Sequence, residues 1–195
     1  PTAKGIEEAA RAIRHGRIAA YPTETVYGLG ADPFSEEALA RLFAAKARDT
    51  SNPVLLIVAT QAHLEEVAGP VSPMAAACMR AFWPGPLSLL LPKSPRVPGL
   101  LTANSTRVCV RWTSHAVARE LCLATGHAIT STSANRAGAP PARSPLGIQL
   151  PGVDLCIDGG ELPPVSPSTI YDPDNERILR AGAISEEEIR ARLGR

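Results

Sequence analysis

Residues 21–30 read Y-P-T-E-T-V-Y-G-L-G, and they begin at the last residue of a short apolar run, residues 18–21, that predicts a buried strand. Pro22 ends that strand, because proline cannot donate a hydrogen bond to a central ladder. Hydroxyls, a carboxylate and two glycines therefore stand at a strand end. This composition is typical of a tight turn around a polar ligand, since glycine lets the backbone approach closely. A turn with a purely structural role explains the segment equally well.

Helical and strand-like segments alternate on both sides of this stretch. A first helix is expected to end near His15, a second is capped by Ser35, and a third begins at Pro73. Further strands are predicted at residues 54–58, 87–91, 108–112, 128–132, 153–157, 168–171 and 177–179. The pattern predicts an α/β fold, with one open, twisted, mixed sheet flanked by helices in a single domain over residues 1–195. We expect a ligand pocket where the loops at the strand ends gather.

Composition and charge narrow the functional class. Lysine and arginine number 20 against 19 aspartates and glutamates, a formal net charge of +1, so no global positive field is available to hold nucleic acid. The apolar stretches are far shorter than the roughly 20 residues of a membrane span, and we expect no membrane contact. The N-terminus has no apolar signal core. These features predict a cytoplasmic protein.

The four cysteines give no sign of a metal site. Cys78, Cys109, Cys122 and Cys156 lie far apart and have no histidine at zinc-ligand spacing. We therefore expect no protein-bound metal and interpret them as buried, reduced thiols that behave as small apolar residues. Reduced thiols suit a cytosolic environment.

Two cations follow the second helix. Lys46 and Arg48 precede Thr50, Ser51 and Asn52, which offer hydrogen-bonding groups. A guanidinium fork and an ammonium beside small polar groups are suited to binding phosphate. The alternative is a solvated helix end whose cations are favoured by the helix dipole.

Polar residues also stand at the ends of later strands. Residues 131–135 read S-T-S-A-N, and Ser168, Thr169 and Arg180 form a second polar group. An open α/β sheet places its ligand at such positions, although residues 131–135 also suit a helix cap. Strand alternation places Arg111 on the face opposite Val108 and Val110, so a rigid strand presents its guanidinium.

The order of these segments matches one known family. The matching pieces are P-T-E-T-V-Y-G-L-G from Pro22, K-x-R at Lys46, N-P at Asn52, F-W-P-G-P from Phe82, V-R at Val110, S-T-S-A-N from Ser131, D-G-G at Asp158, S-T at Ser168 and R-x-G-A-I from Arg180. On these motifs the sequence resembles the YrdC-like threonylcarbamoyl-adenylate synthases, in their short single-domain form, over nearly its whole length.

The resemblance implies both a fold and an activity. It implies an open α/β fold with a large, concave, positively charged cavity that binds ATP, L-threonine and bicarbonate. The implied nucleotidyltransferase forms threonylcarbamoyl-AMP and pyrophosphate, the first step of N6-threonylcarbamoyladenosine modification of tRNA, and Mg²⁺ accompanies ATP. The implied partners are the downstream tRNA threonylcarbamoyl-transfer machinery, and the resemblance also allows weak direct binding of tRNA or double-stranded RNA.

Residue roles follow from the family's pattern alone. L-Threonine is expected to be surrounded by Thr25, Arg111, Ser131 and Ser168. ATP is expected to be held by Arg48, Asn52, Ser133, Asn135 and Arg180. Lys46 and Arg48 are the expected catalytic residues, since this chemistry needs positioning and charge neutralisation and no protein nucleophile.

Three positions depart from the family's pattern. Asp49 stands where a proline usually follows K-x-R, which adds a negative charge beside the expected phosphate site. Ile57 replaces a histidine that many relatives carry near threonine, so we expect that contact to be missing. Ala181 replaces the proline of R-P-G.

Two other functions compete with this reading. One is carbamoyl-adenylate formation from carbamoyl phosphate, as in related domains of larger carbamoyltransferases, but the zinc-binding and acylphosphatase modules that accompany those domains are not in this sequence. The other is a non-catalytic protein that binds double-stranded RNA in the same cavity or acts in ribosome maturation. Near-zero net charge and 4% aromatic residues argue against the second function.

Overall fold

Seven α-helices and ten strands alternate along the computed structural model, which describes residues 1–194. The helices are α1 (Ala3–Arg14), α2 (Glu36–Lys46), α3 (Gln61–Val67), α4 (Pro73–Phe82), α5 (Gly99–Thr102), α6 (Ala116–Thr125) and α7 (Glu186–Arg192). The strands are β1 (Ala19–Pro22), β2 (Tyr27–Gly30), β3 (Leu56–Val58), β4 (Leu87–Pro92), β5 (Arg107–Trp112), β6 (Ile129–Thr130), β7 (Thr132–Ser133), β8 (Leu155–Cys156), β9 (Thr169–Asp172) and β10 (Arg177–Arg180). Within residues 1–194, no helix has both the length and the apolar character that crossing a membrane requires.

Side-chain caps begin most of the helices. Ser35 Oγ accepts a hydrogen bond from Ala38 N, and Ser72 caps α4 in the same way, as predicted. The first helix ends at Arg14, with His15 as its C-cap, which agrees with the prediction. The short helix α3 was not predicted, although Thr60 Oγ1 caps it by accepting from His63 N.

The segment after β1 is half of a hairpin rather than an isolated turn. β1 and β2 pair antiparallel from Ala19 with Gly30 to Pro22 with Tyr27, so residues 23–26 form a four-residue loop. Thr23 closes this loop, since its amide and its hydroxyl both donate to Val26 O, at 3.2 and 2.6 Å. Residues 27–30, which we interpreted as part of the turn, are therefore a buried strand.

The strands form two mixed sheets, and the expectation of one sheet was wrong. One sheet has the order β7-β2-β1-β8 and the other has the order β10-β9-β4-β5-β3-β6. Parallel and antiparallel pairs occur in both, which confirms the mixed α/β class. The predicted strand over residues 128–132 is divided at Ser131, because β6 pairs with β3 and β7 pairs with β2. The chain thus passes from one sheet to the other at Ser131.

The apolar core lies against one face of the six-stranded sheet. Leu89 and Leu91 of β4 and Val108 and Val110 of β5 are all buried in one hydrophobic cluster. A second cluster packs α1 and α6 against Ala19, Tyr21 and Ile57 of the strands. The alternate residues of β4 and β5 face the opposite side of the sheet, where the site described below lies.

Candidate active site

A cavity of about 710 Å³ is lined by residues of both sheets and of their connecting loops. Of the ten residues predicted for the site, seven line it: Thr25, Arg48, Arg111, Ser131, Ser133, Ser168 and Arg180. The structure therefore brings together segments that are up to 155 positions apart in the sequence. Lys46, Asn52 and Asn135 are not among its lining residues.

The hairpin loop supplies two buried hydroxyls to the cavity. Thr23 and Thr25 both line it, and their hydroxyl oxygens are 3.3 Å apart. Gly28 follows on β2, where a Cβ would lie 3.3 Å from Ser131 Oγ. Glycine at this position leaves room for the Ser131 side chain, which explains one of the two glycines of the motif.

Arg111 is almost wholly buried and has few partners. It is 2% exposed, it lies on β5 with Cys109 on the cavity side, and Nε has no hydrogen-bond partner among the described residues. Its ion-pair partner is Glu24, with 3.7 Å between Nη2 and Oε2. Glu24 is in turn held by Thr113 Oγ1, which donates to Oε2 at 2.9 Å. A buried guanidinium with an orphan donor is costly unless an anion satisfies it, so this geometry is suited to binding a carboxylate.

Ser168 and Arg180 form a second polar group on the adjoining strands. The Arg180 guanidinium donates to Ser168 O from Nε and Nη2, at 3.2 and 2.7 Å, and to Ser168 Oγ at 3.0 Å. Ser88 Oγ lies 3.0 Å from Ser168 Oγ. Arg180 thus fixes the buried hydroxyl of Ser168, and its partly buried guanidinium borders the cavity.

Lys46 does not reach the cavity; it supports the loop that does. It is 1% exposed, and its ammonium donates to Ser133 O, to Asn135 O at 2.7 Å and to Asn135 Oδ1 at 3.4 Å. These three bonds match the three donors of an ammonium. Ser133 Oγ also bonds to Asn135 Oδ1, so Lys46 and Asn135 together position Ser133 at the cavity.

Lys46 leads to a prediction about pH. Burial, with the nearby charge of Arg48, lowers the pKa of its ammonium from 10.5 to about 8. Between these values the unfolded chain binds more protons, so the contribution of Lys46 to the free energy of unfolding rises as pH rises from about 8 to about 10.5. Urea denaturation should show the stability of the wild-type protein increasing relative to Lys46→Met across this window. A flat or falling difference would contradict the lowered pKa.

Arg48 lines the cavity and also braces the loop beside it. Its Nε donates to Asn52 O at 3.2 Å, and its Nη2 donates to Pro53 O at 2.9 Å. Partial burial lowers the pKa of this guanidinium from its ordinary value. Asn52 is exposed, and it contributes its carbonyl oxygen to this brace. Asp49 accepts a hydrogen bond from Ser51 N at 2.8 Å, which lowers the pKa of its carboxyl and holds the loop in a turn.

The cysteines only partly match the expectation of buried thiols. Cys78 and Cys122 are buried, but Cys109 is half-buried and lines the cavity, and Cys156 is exposed. Cys109 lies on the side of β5 that faces the cavity, which explains its partial exposure. Burial raises the pKa of the Cys109 thiol to about 12, so it is neutral at physiological pH and is a poor nucleophile.

Cys109→Ala is therefore expected to keep the adenylate formation that the sequence resemblance implies within about threefold of the wild-type rate. Cys122→Ala is the matched variant in the core, where the thiol contacts Ile57 O and His127 O. It should lower the free energy of unfolding by about 1 kcal/mol and leave turnover unchanged. Loss of turnover in Cys109→Ala with a normal melting temperature would show that the thiol takes part in the chemistry.

Several residues of the site were not predicted. Thr23 and Glu24 lie inside the P-T-E-T motif. Their position next to Thr25, a predicted site residue, is the sequence feature that could have identified them. Arg143 lines the cavity from the loop after β7, and its Nε and Nη2 donate to Leu162 O at 3.0 and 2.7 Å. Nothing in the local sequence around Arg143 indicates this role.

Two of the three positions that depart from the family's pattern, Ile57 and Ala181, are not among the cavity-lining residues. Ile57 is fully buried and is the register partner of Arg111.

Gly182, which follows β10, allows the chain to pass close to the backbone of Ser168. A Cβ on Gly182 would lie 2.6 Å from Ser168 C and from Thr169 N, and closer still to Pro167 O. Backbone atoms cannot move aside cheaply, so Gly182→Ala should lower the free energy of unfolding by about 3 kcal/mol. Gly69→Ala is the control, because its added methyl would lie 3.6 Å from Pro92 Cβ, in ordinary contact. Equal denaturation midpoints for the two variants would refute the close approach.

Comparisons with known proteins agree with this architecture. The family model Sua5_yciO_yrdC, described as "Telomere recombination", matches residues 11–182. Threonylcarbamoyl-AMP synthase of Methylococcus capsulatus is 42% identical over 175 residues, which are 88% of this chain and 94% of that protein.

Solved structures give the same result. Sua5 of Pyrococcus abyssi, complexed with L-threonine, is 38% identical with a TM-score of 0.92, and the match covers 97% of this chain and 57% of that one. YciO of Escherichia coli is 25% identical with a TM-score of 0.85, over 97% and 94% of the two chains. The sequence match along residues 11–182, together with this similarity of structure, means that the chain belongs to the Sua5/YciO/YrdC family.

Proposed function

We propose that this protein synthesises threonylcarbamoyl-AMP and pyrophosphate from L-threonine, bicarbonate and ATP. Its relatives at about 40% identity are named threonylcarbamoyl-AMP synthases, and the P. abyssi relative has been solved with L-threonine. The product is a mixed anhydride of a carbamate and AMP. A transferase that modifies tRNA is the class of partner that consumes it in N6-threonylcarbamoyladenosine synthesis.

The observation that carries the proposal is the guanidinium of Arg111, which is buried and whose Nε has no hydrogen-bond partner among the described residues. An amino acid whose amine must react offers only its carboxylate and its side chain for recognition. The Arg111 fork suits the carboxylate, and the hydroxyls of Thr25, Ser131 and Ser168 line the same cavity and suit the polar remainder of threonine. Glu24 acts as a positioning residue, because it pairs with Arg111 and is itself held by Thr113.

The nucleotide side of the cavity is assigned to Arg48, Arg180 and Ser133. The lining residues include four arginines and no carboxylate, which favours a polyanion such as the triphosphate of ATP. Mg²⁺ would enter with ATP, held by phosphate oxygens and water, as this ion commonly is. Lys46, Asn52 and Asn135 then act indirectly, by holding the loops that carry Ser133 and Arg48.

The chemistry needs no protein nucleophile. The threonine amine and bicarbonate condense to a carbamate with loss of water. A carbamate oxygen then attacks the α-phosphorus of ATP, and the bond to the β-phosphate oxygen breaks as pyrophosphate leaves. Arginines that already surround the cavity neutralise the charge of the transition state and hold the reactants in line.

The test is a direct assay of the product. The protein is incubated with MgATP, bicarbonate and L-threonine, and pyrophosphate and the adenylate are measured by enzyme-coupled assay and mass spectrometry. We expect both products, and their formation should require threonine. Formation without threonine but with carbamoyl phosphate would instead indicate a carbamoyl-adenylate synthase. Binding of double-stranded RNA without any adenylate would indicate a non-catalytic role.

A further inference from the structure

A second pocket, separate from the catalytic cavity, contains both tryptophans of the chain. It has a volume of about 500 Å³, and Trp83, at the end of α4, and Trp112, at the end of β5, line it. Their ring centroids are 6.4 Å apart, and the ring planes make an angle of 47°. Leu64 and Met79 add apolar surface beside the two indoles.

Hydrogen bonds fix the indole of Trp83 and the main chain of Trp112. Trp83 Nε1 donates to Leu87 O at 2.7 Å, so its polar edge is satisfied. Trp112 O accepts from Gly85 N at 2.9 Å, which ties the end of β5 to the turn after α4. Because both side chains are half-buried, they present fixed aromatic surface to the pocket at little cost in side-chain entropy.

The two charged residues that line this pocket are both arginines. Arg80 of α4 and Arg119 of α6 line it, and no aspartate or glutamate does. Both arginines are exposed, and within residues 1–194 neither side chain takes part in an ion pair. Thr113 and Ser114 lie at the same wall, where Thr113 Oγ1 and Ser114 N donate to the carboxylate of Glu24, which is not a lining residue. Two unpaired guanidinium groups beside aromatic surface are suited to a ligand that is both planar and anionic.

We propose that this pocket is a second nucleotide site, which stacks a nucleobase on Trp83 and Trp112 and holds its phosphate with Arg80 and Arg119. Base-aromatic stacking tolerates any base, and guanidinium groups bind phosphate bidentately. An uncharged aromatic ligand would leave the two cations unused, and an acidic peptide would leave the indoles unused. A nucleotide satisfies both features. The proposal does not depend on the activity proposed above.

The two tryptophans provide the probe, since they are the only ones in the chain and both lie in the pocket. Their fluorescence, excited where adenine does not absorb, is followed during titration with AMP, with adenosine and with short single-stranded oligoadenylate. We expect quenching by AMP or by the oligonucleotide and at least about tenfold weaker binding of adenosine, which lacks the phosphate. Equal affinities for AMP and the oligonucleotide assign the site to free nucleotides, whereas tighter binding of the oligonucleotide assigns it to RNA.

Variants separate this pocket from the catalytic cavity. The double variant Arg80→Ala, Arg119→Ala should weaken quenching by at least about tenfold and leave adenylate synthesis unchanged, while Arg17→Ala, an exposed arginine elsewhere, should alter neither. Arg48→Ala, in the catalytic cavity, should keep the quenching. The proposal is wrong if no ligand changes the fluorescence up to millimolar concentration. It is also wrong if quenching survives in the double variant, or if adenosine binds as well as AMP.

Discussion

Arg48→Ala is expected to lower kcat/KM for ATP about a hundredfold, equivalent to about 3 kcal/mol of lost transition-state stabilisation. Arg48 lines the cavity, and its guanidinium is partly buried, where a charge acts more strongly on a phosphate than it does in water. Steady-state measurement of pyrophosphate release at varied ATP tests this effect. Wild-type turnover by a folded variant would remove Arg48 from the mechanism.

Arg48 also has a structural role, which the experiment must distinguish from the effect of its charge on ATP. Because Arg48 also bonds to Asn52 O and Pro53 O, its loss could loosen the loop as well as remove a charge. Arg48→Lys keeps the charge and loses the fork, so partial recovery in this variant would indicate that charge dominates. Arg41→Ala is the matched control on the preceding helix α2, where an exposed pair with Glu37 contributes at most about 1 kcal/mol to stability and nothing to the cavity.

Arg111→Lys is expected to raise the KM for L-threonine by roughly tenfold to a hundredfold, while the KM for ATP stays nearly constant. A guanidinium binds a carboxylate through two parallel hydrogen bonds, whereas an ammonium supplies a point charge. The Arg111 side chain is buried and its Nε has no hydrogen-bond partner among the described residues, so a bound carboxylate would supply the missing acceptor. Isothermal titration with threonine alone measures the loss directly.

The control for this substitution lies on the same strand. Arg107→Lys makes the same chemical change in a residue that pairs with Asp172 and Asp174 outside the cavity lining, and the threonine KM should not change. Glu24→Gln should raise the threonine KM less than Arg111→Lys does, because Glu24 acts through Arg111. If Arg111→Lys weakened ATP and threonine equally, Arg111 would belong to the nucleotide subsite or to the scaffold.

Much of the fold was predictable because its signals are local. Caps at Ser35 and Ser72 depend on bonds to amides three residues away, and the alternation in β5 depends on neighbouring residues alone. The same alternation placed Arg111 opposite the valines of the core, and the structure confirms this orientation. The sheet count failed because strand pairing joins residues far apart, as when Gly28 pairs with Ser133.

The amino-acid order alone was enough to predict the mixed α/β class, the family, and most of the polar side chains that line the cavity, because each rests on a local pattern or an ordered motif. The direction in which those side chains point depended on the tertiary structure. Lys46 and Arg48 are two residues apart, yet the left-handed backbone of Ala47, with φ of 48°, ends the helix between them. As a result, Lys46 supports the loop at Ser133 from within the protein while Arg48 reaches the cavity. The pairing of Trp83 with Trp112 is likewise a product of packing, since 29 positions of sequence separate two rings that meet in one pocket.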